Sequence, residues 1–133
     1  MMLNPAAISE VSNPCRVACV TGGAKRIGRA LVLALHQANY NIIIHYHTSE
    51  SEAIELVDYC NAIRPQSAKS VQGDLEDFET LPQLTWQIVN SFGRLDCLVH
   101  NASRFYPTPF GQISQQDWQN LFLTNAQTPL FIS

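Results

Sequence analysis

Residues 17–35 read VACVTGGAKRIGRALVLAL, in an order that suggests one unit: a strand, a tight turn and a helix. The run CRVACVT (15–21) is short, β-rich and apolar, as a buried strand is, and it stops at Gly22 and Gly23. Ile27, Ala30, Leu31, Ala34, Leu35 and Ala38 then recur at helical spacing, and Asn39 offers the stop. A glycine turn between strand and helix lets the backbone approach a ligand without a Cβ in the way. It also aims the helix's unpaired amides at negative charge. Lys25 and Arg26 add cations to the same turn. The spacing Gly22, Gly23, Gly28 is not the G-x-G-x-x-G dinucleotide pattern. On these residues alone, an ordinary strand-to-helix turn therefore stands beside a phosphate site.

The alternation continues downstream. NIIIHYH (41–47) reads as a second strand. Ser49 and Glu52 have capping-box spacing ahead of Ala53, Leu56, Val57, Cys60 and Ile63, and Pro65 ends that helix. AKSVQGDL (68–75) is a weaker third strand leading to an acidic turn at Asp74. Leu81, Leu84, Ile88, Val89 and Phe92 mark a helix closed by Gly93. LDCLVHNA (95–102) is the fourth strand, followed by the Pro-rich YPTPFG (106–111). Ser114 and Asp117 open a last helix carrying Trp118, Leu121, Phe122 and Asn125. Trp86 and Trp118 both fall in helical patterns and are expected in the core or at an interface. Strands and helices joined by such short connections predict an α/β fold with a parallel sheet and right-handed crossovers. Residues 1–12 (MMLNPAAISEVS) read as a loose arm and 13–133 as one nucleotide-binding domain.

Composition narrows the function. The chain has 133 residues, 46% hydrophobic and 14% charged, with a net charge of -3. That suits a compact domain with strands buried on both faces. Lys and Arg together number eight and form no basic tract, which argues against nucleic-acid binding. The apolar runs are far shorter than the roughly 20 residues of a membrane helix, and the N-terminus lacks the cationic start of a signal peptide. Cys15, Cys19, Cys60 and Cys97 form no C-x-x-C pair and read as small thiols in a reducing cytoplasm.

The end of the second strand sharpens the phosphate reading. Dinucleotide folds that prefer NAD place a carboxylate there to hold the ribose hydroxyls. This chain has HYHTS (45–49), with no acid before Glu50. A missing carboxylate removes repulsion toward a 2′-phosphate, to which Arg26, His47, Thr48 and Ser49 could donate. His45 and His47 read otherwise as two polar tips at a strand end; their H-x-H spacing lacks a third metal ligand.

At this point the residues carry a resemblance. TGGAKRIG (21–28) resembles the T-G-x-x-x-x-x-G turn of the short-chain dehydrogenase/reductase family. Asp74-Leu75 resembles its adenine-contacting acid, HNAS (100–103) its N-A-G strand end, and Asn125 its helix asparagine. Within the family, Arg26 in the turn, HYHTSESEA (45–53) and NASRFYPTPF (101–110) resemble the pteridine reductases. Thr48 stands where those enzymes carry an arginine, and Arg104 where they carry a serine.

The resemblance implies a Rossmann-type, doubly wound sheet with strand order 3-2-1-4, cytoplasmic and homo-oligomeric (a tetramer) at full length. It implies that Gly22, Lys25, Arg26, Ile27 and Gly28 surround the pyrophosphate of NADPH. His45, Tyr46, His47, Thr48 and Ser49 would lie around the adenosine ribose and its phosphate. Asp74 would accept from the adenine amine with Leu75 packed nearby, its other reading being a helix N-cap. Asn101, Ala102 and Ser103 would line the path to the nicotinamide. Phe105 would stack a pterin substrate, with Arg26 and Ser103 in hydrogen-bond reach of the pterin or the phosphates; its other reading is a core aromatic. The implied reaction is hydride transfer from NADPH to a C=N bond, and another carbonyl or imine reductase is the alternative. Proton delivery in the family uses a Tyr-x-x-x-Lys pair. Four residues after Tyr40, Tyr46, Tyr59 and Tyr106 stand Ile44, Glu50, Ile63 and Phe110, and Lys25 and Lys69 are the lysines of the sequence. Of the catalytic set, Asn125 alone is present. The chain thus reads as the N-terminal half of a reductase, inactive alone.

Overall fold

A computed structural model describes residues 15–103, 111–112 and 114–122. Four strands, β1 (Val17–Val20), β2 (Asn41–Tyr46), β3 (Ala68–Gln72) and β4 (Cys97–Val99), alternate with α1 (Arg26–Gln37), α2 (Glu50–Ile63) and α3 (Leu81–Phe92). A last helix, α4 (Gln115–Phe122), follows β4. The strands are parallel in the order β3-β2-β1-β4, as the resemblance implies.

The central strands are buried at every position, which is why they read as continuous apolar runs. Their side chains alternate between two cores. Ala18, Val20, Ile42 and Ile44 pack with Val32 of α1 and Leu56 and Cys60 of α2. Val17, Cys19 and Ile43 pack on the other face with Leu81, Leu84 and Ile88 of α3. Burying each isoleucine contributes roughly 1.5–3 kcal/mol. β3 and β4 are less covered: Lys69, Ser70 and Gln72 are exposed, and Cys97, Leu98 and Val99 are half-buried. Cys19 and Cys60 are buried thiols, whereas Cys15 and Cys97 are half-buried. Burial, with Cys97 nearby, pushes the Cys19 thiol up to about 12, so it is inert at neutral pH. Among the described residues, no helix is long and apolar enough to cross a membrane.

Helix ends follow local chemistry in part. Asn39 takes the left-handed conformation at φ 72. Its N–H donates to His36 O at 3.0 Å, and Tyr40 N–H to Leu35 O at 3.1 Å, which closes α1. Gly93 ends α3 at φ 78. At the start of α4, Asp117 N–H donates to Ser114 Oγ and Ser114 N–H to Asp117 Oδ2, each at 3.0 Å.

Three expectations are corrected, one outright and two in part. Ser49 precedes α2 but its hydroxyl makes no cap hydrogen bond, because ψ of 56 departs from the extended N-cap geometry. Trp86 and Trp118 are 66% and 64% exposed, which removes the core half of their reading and leaves the interface half as an expectation. The fully buried positions of α1 are Gly28, Val32 and His36; Leu31 and Leu35 of the expected stripe pack half-buried against the same core, whereas Ala30, Ala34 and Ala38 turn outward. Close packing of Gly28 on the glycine turn sets that rotation. His36 then fills an interior position by pairing with the Ser67 hydroxyl at 2.7 Å.

Candidate functional site

The β1–β4 junction is where successive helices change faces of the sheet, and open α/β sheets bind ligands beyond the strand ends at such a switch. A cleft of about 800 Å³ lies there. Four segments wall it.

The turn after β1 forms the floor. Gly22 adopts φ 60, which favours glycine. Gly28 brings α1 against it so closely that a Cβ there would lie 2.1 Å from Gly22 O and 2.6 Å from Asn101 Nδ2. Gly22 N–H donates to His45 Nδ1 and Gly23 N–H to His45 O, both at 3.0 Å. The two glycine amides are therefore spent inside the protein. Lys25 is the N-cap of α1 with an extended backbone and no side-chain cap. Arg26, Ile27 and Gly28 line the cleft, and a helix leaves its first-turn amides without intrahelical partners, which suits an acceptor from outside. Arg26 holds φ 54 and Ile27 is 72% exposed, so this isoleucine belongs to the cleft and not to the apolar face of α1.

The end of β2 supplies Tyr46, His47, Thr48 and Ser49 to one wall, with no carboxylate among them. Past β3, Asp74 and Leu75 supply the next wall. Asp74 Oδ1 accepts Glu76 N–H at 2.9 Å in a local turn, and α3 starts only at Leu81, so Asp74 caps no helix. His47 Nε2 lies 3.9 Å from Asp74 Oδ2, both side chains well exposed. Leu75 is buried beneath.

The end of β4 closes the cleft with Asn101, Ala102 and Ser103. The Asn101 amide nitrogen donates to Thr21 O and Gly22 O, each at 3.1 Å. Thr21 Oγ1 accepts the Asn101 and Ala102 N–H groups at 3.0 Å and reaches Val99 O at 3.3 Å. This knot fixes β4 against the turn. Asn101 holds backbone with its amide and offers the cleft its remaining surface.

All the residues proposed from sequence around a cofactor therefore meet at one cleft. Ala24 and Glu76 join them there, and Thr21 braces them, none singled out by the sequence reading. Thr21 stands directly before the glycines, a position that invites such bracing; Glu76 carries no sequence signal. His45 departs from expectation: it is a buried ring, 2% exposed, and not a polar tip. With Nδ1 accepting from Gly22 and Nε2 directed at Gly73 O at 2.8 Å, it has no lone pair for a metal, which removes the H-x-H reading. Arg104, Phe105 and Asn125 lie outside the described residues.

Comparison with known proteins agrees with this geometry. The family model for short chain dehydrogenase matches residues 16–133. Pteridine reductase 1 of Leishmania tarentolae is 40% identical over 147 residues, covering 87% of this chain and 51% of the relative. Hydroxynaphthalene reductase arp2 of Aspergillus fumigatus is 31% identical over 118 residues, covering 89% of this chain and 43% of the relative. The 3-oxoacyl-(acyl-carrier-protein) reductase FabG of Staphylococcus aureus is 29% identical over 110 residues, covering 83% and 44%. The chain spans about half the length of these curated relatives. With a matching turn, a matching strand order and a family match over most of its length, the chain belongs to the short-chain dehydrogenase family.

Proposed function

We propose that residues 13–133 are the cofactor-binding half of an NADPH-dependent oxidoreductase which, in its full-length form, reduces pterins. The observation that carries the cofactor choice is the wall at the end of β2: His47, Thr48 and Ser49 face the cleft with Arg26, and no carboxylate stands among them. A 2′-phosphate meets donors on that wall, and the nearest carboxylate, Asp74, stands on the adjoining wall paired at 3.9 Å with His47.

Bound NADPH would supply the hydride. The chain's own residues bind and orient. The first-turn amides of α1, with Lys25 and Arg26, would hold the pyrophosphate. Asp74 accepts from the adenine amine over Leu75, and Asn101, Ala102 and Ser103 line the way to the nicotinamide. By the resemblance Phe105 would stack on the pterin ring, where offset stacking adds about 0.5–1.5 kcal/mol beyond burial. By the resemblance, too, Asn125 would organise a water for proton delivery. The Tyr-x-x-x-Lys pair does not occur in these residues, so the chain alone binds nucleotide without turning over pterin. The full-length protein is taken as cytoplasmic and homo-oligomeric, a tetramer.

Titration with NADPH and NADH tests the cofactor assignment. Tighter NADPH binding is expected; equal affinity, or tighter NADH, overturns it. A second reading, another NADPH-dependent carbonyl or imine reductase, is favoured by Arg104 at a position where pteridine reductases carry serine. Phe105→Ala in the full-length enzyme separates the two. Loss of a stacking wall should lower kcat/KM for dihydropterins about tenfold, equivalent to ~1.4 kcal/mol, with NADPH affinity little changed. Unchanged pterin kinetics would favour the second reading.

A further inference from the structure

His45 lies behind the cleft wall with both ring nitrogens engaged. Gly22 N–H points at Nδ1, so that nitrogen carries the lone pair, the proton sits on Nε2, and the ring is neutral. Nε2–H donates to Gly73 O at 2.8 Å, next to Asp74 in sequence. The His45 carbonyl meanwhile takes Gly23 N–H at 3.0 Å. One residue of β2 thus grips both glycines of the phosphate-side turn and, from its other edge, the backbone leading to the adenine-side acid.

We infer that His45 is a positioning residue for the dinucleotide, holding the glycine turn and the Gly73–Asp74 segment in register, and that proton uptake at its Nδ1 uncouples them and lowers affinity. The inference rests on the dinucleotide reading above. A proton taken from solvent onto Nδ1 consumes the lone pair that Gly22 N–H uses. Two N–H donors then face each other in a buried site, each without its acceptor. Among the charged and titratable groups around the ring, Asp74 favours that proton, whereas protonated His47 opposes it. Lys25 and Arg26 on the turn and Glu76 beyond Asp74 are the further charged groups lining the same cleft. Burial opposes it most, so the loss belongs on the acid side of the ordinary histidine range.

The test is titration of the unaltered chain with NADP⁺ and NAD⁺, which survive acid, at about pH 8 and about pH 5.5, beside His45→Gln and His47→Gln. Affinity of the unaltered chain for both dinucleotides should fall measurably in acid, by less than tenfold at about pH 5.5 because burial holds His45 below 6.5, and for both alike because the glycine turn serves both. His45→Gln, which keeps an amide oxygen and an amide N–H but does not titrate, should flatten the acid loss for both. His47→Gln should leave the acid loss for NAD⁺ in place, since NAD⁺ carries no 2′-phosphate for His47 to meet. Imidazole ¹⁵N shifts of the unaltered chain need no variant: they should show His45 neutral with its proton on Nε2, titrating together with the affinity. An unaltered chain that binds neither dinucleotide at any pH overturns the cofactor reading and this inference with it. Binding at neutral pH with no acid loss, or with an acid loss that persists in His45→Gln, overturns the inference alone. So does a His45 ring whose titration does not track affinity.

Discussion

Arg26 occupies a backbone conformation, φ 54, that L side chains adopt at a cost of about 1–2 kcal/mol. A side chain kept there against that cost has a reason to face the cleft. Arg26→Gly should leave the melting temperature unchanged or slightly raised, because relief of strain offsets the extra freedom glycine gives the unfolded chain. NADPH affinity should nevertheless drop about tenfold, as a phosphate loses a charge-assisted partner. A parallel fall in stability and affinity would contradict this. Gly28→Ala should behave oppositely. Its Cβ would sit 2.1 Å from Gly22 O, a backbone atom that cannot swing aside. Overpacking of this kind costs about 3 kcal/mol or more, so thermal melts and dinucleotide titration should both show losses.

At the scale of elements, the C-terminal end of α1 depends on a residue that sequence periodicity passes over. Arg64, just past α2, donates from Nη1 to His36 O at 3.1 Å and from Nη2 to Tyr40 O. Asn61 supports the same corner, its Oδ1 accepting Ser67 and Ala68 N–H at 2.9 Å. The corner joins α1, α2 and β3 on the side of the sheet away from the cleft. Arg64→Met should therefore lower unfolding free energy by about 1–3 kcal/mol, through two carbonyls left without their cationic donor. Dinucleotide affinity should stay unchanged, since Arg64 lines no part of the cleft. Denaturant midpoints and titration together check this; a matched loss of affinity would mean that the corner and the cleft are coupled.

For the whole molecule, the buried histidines dictate a pH dependence. His36 and His45 are both buried, and burial holds each below the ordinary value of 6.5; Arg64 adds to the effect at His36. As pH falls below 6.5 the unfolded chain takes up protons that the folded chain does not. Stability is therefore complete above that value and declines on its acid side, until the folded histidines titrate too. The slope is at most about 1.4 kcal/mol per pH unit for each histidine. Asp96, held below the carboxylate range by the Arg94 guanidinium and by Val17 N–H, adds a separate loss in stronger acid. Urea midpoints at about pH 8, 6 and 5 should be level at first and then fall. A level midpoint throughout would mean that neither histidine is held neutral.

The alternation of strands and helices, the glycine turn and the acid-free end of β2 were all legible in the residues, because each is a local pattern. Apolar period, turn chemistry and the sign of a side chain do not depend on distant contacts. The resemblance then supplied the strand order, which no local pattern contains. What only the tertiary structure decided is how elements face one another. The alanines of α1 look like an apolar stripe, yet Gly28 must approach Gly22, and the helix turns them outward. Trp86 has the helical spacing of a core residue but sits where no described element covers it. His45 shares a strand end with His47, yet the pleat sends its ring between Gly22 and Gly73, where it becomes part of the scaffold. Spacing along a chain fixes which residues share a face. Only packing determines what that face meets.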